Sequence, residues 1–142
     1  LVSEGVHILE NSNHKQNKNN EYIWIIGVDD PYSGKDDLNL ALAGSDESAP
    51  RILLAHAPNI YTAASQSKID LVMAGHTHGG QVRLPLLGAI VIPGQGFFPK
   101  LDYGLFSFNS TKMMINGGLG ESVLPIRFFN RPEIVLITLE SA

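Results

Sequence analysis

The stretch Ile69-Asp-Leu-Val-Met-Ala-Gly-His-Thr-His-Gly-Gly80 decides how this chain is read. Its apolar part, 69–74, ends in Gly75, which reads as a buried strand opening into a tight loop. The flanking glycines let the backbone take bends that a Cβ would block. His76 and His78, two residues apart on that loop, can reach one metal ion or two adjacent ones. His56 closes a second apolar stretch, Arg51-Ile-Leu-Leu-Ala-His56. Three histidines at the ends of two strands therefore predict a metal site at one edge of a sheet. A His-x-His pair by itself is more often two ordinary polar residues. The glycine flanks and the third strand-end histidine tip the balance toward metal.

Outward from this stretch, the pattern is α/β. Pro58 opens a helix with Ile60, Ala63 and Ala64 on one face, between strands 51–56 and 69–74. That order predicts a parallel pair joined by a right-handed crossover. Upstream, Gly5-Val-His-Ile-Leu-Glu10 reads as a short strand and the asparagine-rich run 11–20 as an exposed turn. Glu21-Tyr-Ile-Trp-Ile-Ile-Gly-Val28 reads as a strand apolar on both sides, hence buried on both. The first two strands are expected to form a hairpin. A short helix follows, capped by Asp36, with Leu38, Ala41 and Leu42 on its buried face and Gly44 at its end. Downstream, strands are expected at 105–108, 112–116 and 133–139. The segment Leu84–Pro93, with Phe97 and Phe98 beyond, is apolar for a loop. Packing as ordinary core against a part of the fold outside these residues is the favoured reading, and contact with an acyl chain or membrane surface the alternative.

Composition narrows the chemistry. The chain has 142 residues, 44% hydrophobic and 17% charged, which fits one domain or part of one with a real core. A formal net charge of −4 and no basic stripe argue against nucleic acid as the main partner. With no cysteine, a metal must be held by nitrogen and oxygen, which favours manganese, iron or zinc. No apolar run is long enough to span a bilayer and no signal peptide is visible.

Gly75-His76-Thr77-His78 resembles the last metal-binding motif of the calcineurin-like metallophosphoesterases, and Leu54-Ala-His-Ala-Pro58 resembles the histidine motif before it. The longer run Gly75–Pro85 is similar to a bacterial membrane-associated subgroup, some of whose members act on lipid-linked phosphoesters. Gly27-Val-Asp-Asp30, Gly118-Leu-Gly120, Leu124-Pro-Ile-Arg127 and Arg131-Pro-Glu133 fit the same subgroup. The likeness runs from Gly5 to Leu139. The family's Asp-x-His, Gly-Asp-x-x-Asp and Gly-Asn-His-Asp/Glu motifs do not occur here. The resemblance thus implies that 1–142 is the C-terminal half of a single metallophosphoesterase domain. The implied fold is the C-terminal part of a two-sheet β-sandwich flanked by helices, a four-layer α/β/β/α arrangement.

By the same resemblance, two divalent ions (manganese, iron or zinc) serve the intact enzyme. His56 and His76 bind one and His78 the other. The bridging carboxylate and the general-acid histidine belong to the other half, so no catalytic residue is assigned here and the isolated chain is expected to be inactive. Gln81 and Arg83 follow the motif as candidate substrate contacts, Arg83 through bidentate hydrogen bonds to phosphate. Asp29 and Asp30 read more simply as turn-capping residues. The expected partners are a phosphoester, possible as a lipid-linked one, and the other half of the domain. Membrane association would come through that N-terminal part, on an unassigned side. The competing reading is a non-catalytic binding or assembly module retaining a vestigial metal site.

Overall fold

The computed structural model describes residues 1–92, 95–120 and 126–140. The backbone falls into two compact units. One holds Leu1–His76 with Leu105–Met114, the other Thr77–Gly104 with the residues from Ile115 onward.

The first unit is built on a six-stranded sheet in the order β1-β2-β3-β4-β10-β9. Strands β1 (Ser12–Lys18) and β2 (Glu21–Gly27) pair antiparallel, from Ser12↔Gly27 to Lys18↔Glu21. Their turn residues Asn19 and Asn20 have φ of 49° and 66°, the paired positive values that a two-residue hairpin turn requires. The expected hairpin exists, but its first strand lies in the run read as a turn, and 5–10 forms no strand. The reason is position. β1 is an edge strand of this sheet, where a polar sequence carrying Lys15 and Lys18 discourages further pairing. Lys15 adds a cation–π contact across the hairpin, its Nζ 3.6 Å from the Tyr22 ring centroid.

Strand β3 (Arg51–Ala55) runs parallel to β2, and β4 (Leu71–Ala74) parallel to β3. Between β2 and β3 lies helix α1 (Leu38–Leu42), capped by Asp37, whose carboxylate accepts from the Leu40 amide. The sequence reading placed that cap one residue early, at Asp36. Between β3 and β4 a 3₁₀ turn, Pro58–Ile60, runs into α2 (Tyr61–Gln66). Ile60 and Ala64 are buried, as expected of one helical face, whereas Ala63 is exposed. Strand β10 (Thr111–Ile115) lies beside β4, and β9 (Gly104–Phe108) beside β10.

Most of the core lies on one face of this sheet, Ile52 being the buried residue of β3 on the other. Ile26, Leu53, Val72 and Met113 are fully buried, with Ala41, Ile60 and Ala64 from the helices. Truncating such a side chain to Ala costs about 2–5 kcal/mol. One step along each strand the side chains point the other way. Leu54 and Met73, paired in register, keep 39% and 36% of their surface. Likewise β2 is buried only at its end, at Ile26 and Gly27, while residues 22–25 are half-buried. The expected burial on both sides is thus not met within this chain.

The second unit holds two short antiparallel pairs: β5 (Arg83–Leu84) with β6 (Gly88–Ala89), and β7 (Val91–Ile92) with β8 (Gly96–Phe97). Ala89 and Ile92 form its buried centre. The rest of the apolar segment does not pack as core within the unit, since Leu86, Leu87, Phe97 and Phe98 are exposed. The expected last strand, Glu133–Leu139, is not in a ladder among the described residues. Its alternation leaves Ile134 81% and Leu136 90% exposed. Among the described residues no helix is long and apolar enough to cross a membrane.

Candidate functional site

The parallel register of β3 and β4 brings their C-terminal ends level, with Ala55 opposite Ala74. The next residue on each strand continues the match, and the Gly75 amide donates to the His56 carbonyl at 3.2 Å. His76 follows with φ of 67°, a left-handed conformation that re-aims its side chain at the strand end. As a result His76 Nδ1 lies 2.9 Å from His56 Nε2. The rings meet edge-on, with centroids 4.7 Å apart.

This spacing suits a shared ion. Two nitrogens bound at ~2.1 Å on adjacent sites of one metal stand roughly 3 Å apart. The donor set, two imidazoles without thiolate, suits manganese, iron or zinc. Two neutral imidazoles can also hold this distance by one N–H···N bond, so the pair is geometrically ready without an ion. No group of three His, Cys, Asp or Glu side chains able to hold a metal occurs among the described residues.

A third ring completes the cluster. Tyr32 lies 4.8 Å from His76 between centroids, tilted by 40°. It is delivered by the loop after β2, which Asn11 and two aspartates shape. Asn11 Oδ1 accepts from the Asp29 and Asp37 amides, Asp29 Oδ1 from the Asp30 amide, and Asp30 Oδ1 from the Tyr32 amide. Asp29 and Asp30 thus behave as turn formers, in line with their bland reading. Beside His56 opens a cavity of about 300 Å³, with His7, Gly27, Leu54 and Met73 in its wall.

His78 belongs to the second unit and opens a turn of unusual backbone. His78, Gly79, Gly80 and Gln81 have φ of 48°, 66°, 79° and 40°. Such runs persist only where the surroundings over-determine them. Here the carbonyls of the turn are held from outside. Arg83 Nη1 donates to the Gly79 carbonyl and to Asp102 Oδ2, each at 2.8 Å. Asn130 Nδ2 donates to the His78 carbonyl at 2.5 Å. Arg83 also lies over the Tyr103 ring, 5.1 Å from its centroid. Tyr103 donates its hydroxyl to Glu133, which accepts the Gly117 amide through its other oxygen. That bond to a carboxylate, with partial burial, pushes the Tyr103 phenol above its ordinary range.

Of the residues singled out from sequence, His56 and His76 are brought together in one unit. His78, Gln81 and Arg83 lie along one turn of the other. Sequence reasoning missed Tyr32 and Asn130. Each is a single polar residue in a loop, and only tertiary pairing gives it meaning.

Comparison with known proteins adds an independent line. The chain is 36% identical over 119 residues to the metallophosphoesterase YkuE of Bacillus subtilis, covering 84% of this chain and 41% of that protein. It is 30% identical over 139 residues to the phosphodiesterase YaeI of Escherichia coli, covering 98% and 49%. It is 32% identical over 123 residues to the UDP-2,3-diacylglucosamine pyrophosphatase LpxG of Chlamydia muridarum, covering 82% and 37%. The chain thus spans half or less of the length of these relatives. No family model matches it, and no solved structure does. The chain belongs to the calcineurin-like metallophosphoesterases.

Proposed function

We propose that this metallophosphoesterase chain is the histidine-bearing half of a metal-dependent phosphoester hydrolase. The observation that carries the reading is the facing pair His56 and His76, two ring nitrogens 2.9 Å apart at the ends of adjacent parallel strands. When bound, two divalent ions supply the charge and the activated water that phosphoester cleavage needs. His56 and His76 hold one ion, and His78, on its braced turn, the other. Gln81 and Arg83 lie next to that turn as phosphate contacts. Arg83 commits Nη1 to Gly79 and Asp102, which leaves its other N–H donors for a phosphate oxygen.

The remaining ligands come from a preceding half of the same domain. The open sheet face around Leu54 and Met73 supports this, because a second sheet layer laid there would complete a four-layer α/β/β/α sandwich. A lipid-linked phosphoester is the favoured substrate class. Its support is the name of the Chlamydia relative, a pyrophosphatase of a diacylated sugar nucleotide, together with the exposed Leu86, Leu87, Phe97 and Phe98, which can meet acyl chains at a membrane surface.

The test is manganese-dependent cleavage of bis(p-nitrophenyl) phosphate by the full-length protein, beside His56→Ala and His76→Ala. Loss of turnover in both variants is expected. Binding of manganese with no metal-dependent cleavage of this or lipid-linked substrates would support the non-catalytic module instead.

A further inference from the structure

We propose that Asn130 is a positioning residue for His78, fixing the backbone of the turn from which that imidazole reaches its ion. The proposal rests on reading His78 as a metal ligand.

Asn130 is only 6% exposed although it lies outside any helix or strand. Burying a carboxamide is costly unless its groups are hydrogen-bonded. Here Nδ2 bonds the His78 carbonyl, which fixes the plane of the His78–Gly79 peptide. The other side of the same carboxamide fills the space beside Gly79. A Cβ on Gly79 would stand 2.6 Å from Asn130 Oδ1. The side chain therefore grips two consecutive residues of the turn, one by a bond and one by contact.

Asn130 is itself held in place. The Phe128 amide donates to the Gln81 carbonyl at 2.8 Å, and the Arg83 amide to the Phe128 carbonyl at 3.0 Å. Phe128 is thereby clamped alongside the exit of the turn, and Asn130 reaches its entrance two residues later. Together with Arg83 on the Gly79 carbonyl, this closes the turn from both sides. His78 sits at φ 48°, a conformation that a β-carbon disfavours. Without the brace the residue is free to relax to negative φ, which swings its imidazole away. The brace thus sets the ligand's direction before any ion arrives, as outer-shell partners do in metal sites.

The test compares Asn130→Asp, Asn130→Ser and His78→Ala in the full-length protein by manganese titration, read by the EPR signal of free manganese. Asn130→Asp keeps the shape but sets a carboxylate against the His78 carbonyl. Asn130→Ser removes the carboxamide without adding charge and decides the matter should the Asp variant not fold. Both are expected to weaken one ion roughly 10- to 100-fold and leave the other within about two-fold. In the metal-free protein, the His78 ring resonances should broaden or shift while those of His7 and His14 stay put. Two manganese affinities unchanged in a folded Asn130 variant, with one ion lost in His78→Ala, would overturn the positioning role and leave the ligand reading intact. Both ions retained in His78→Ala would overturn the ligand reading, and the proposal with it.

Discussion

His76 Nδ1 and His56 Nε2 face each other at 2.9 Å because two parallel strands end level and the backbone of His76 turns left-handed. Neither cause alone suffices. His56 stands level with Gly75, so with ordinary negative φ His76 would continue the alternation of β4 and its ring would point to the opposite face of the sheet from His56. The pairing makes the two imidazoles equivalent in the proposed role. Replacing either by alanine in the full-length protein should lower metal-dependent phosphoester cleavage by on the order of 10²-fold or more. Initial rates across a manganese series are the check. A variant whose rate recovers fully at high manganese would mean that its histidine supplies affinity and is dispensable for the chemistry.

Gly80 should be the least replaceable glycine of the histidine turn. Its φ is 79°, and an added Cβ would run into the Ala89 Cβ. Left-handed backbone costs a non-glycine residue about 1–2 kcal/mol. Overpacking adds about 1–3 kcal/mol. Gly80→Ala is therefore expected to destabilise by roughly 2–5 kcal/mol. Combining it with Ala89→Gly should return the packing part and keep the conformational part. Urea denaturation of the four proteins in this cycle measures both. A double variant no more stable than Gly80→Ala would show that the contact with Ala89 is not the cause.

How much of this was legible beforehand depended on whether the signal was local. Strand ends closed by His56 and by Gly75-His76 stand out, because apolar runs and glycine punctuation are written in consecutive residues. The parallel β3–β4 pair followed from strand–helix–strand order alone. β1 was misread because an edge strand need not be apolar, and only its Asn19-Asn20 turn carried a hairpin signal. Glu133–Leu139 has a clear strand pattern yet no ladder among the described residues, since a pattern states readiness to pair and not the presence of a partner. Asn130 and Tyr32 were invisible for a different reason. Their contacts with His78 and His76 span 52 and 44 residues of sequence, and nothing local marks them.

Tyr103 gives the second unit a pH signature. Its hydroxyl donates to Glu133, and that bond holds the phenol pKa above 10.0. The folded form therefore keeps its proton where the unfolded form has begun to lose it. In that window stability falls as pH rises. The contribution is fully present below pH 10 and is lost as pH climbs through the folded-state value. Tyr103→Phe cannot make the bond, so it should be less stable at neutral pH and flatter above pH 10. Denaturation midpoints between pH 8 and pH 11.5 (roughly the stretch spanning an unperturbed phenol) test this. Parallel curves for the two proteins would remove the Tyr103–Glu133 bond from the account.

The 142-residue chain by itself should bind a divalent ion weakly and should not turn over phosphoesters. Its paired histidines offer two nitrogens, whereas dinuclear catalysis needs a bridging group to set the ions together. Without a positioned general acid a further ~10²–10⁴-fold in rate is missing. The same chain should also associate. Leu54, Met73 and Leu105 are partly exposed on the sheet of the first unit, and the exposed Ile134 and Leu136 alternate along a segment that joins no ladder among the described residues. Apolar sheet surface and unpaired strand edges are where chains aggregate. Light scattering of the purified chain should show oligomers, and a manganese-supplemented phosphoesterase assay should stay at the level of His76→Ala. Leu54→Lys combined with Met73→Lys should reduce association without restoring turnover. A monomeric chain with robust manganese-dependent activity that His76→Ala abolishes would show instead that these residues hold a complete site, and the half-domain proposal would be wrong.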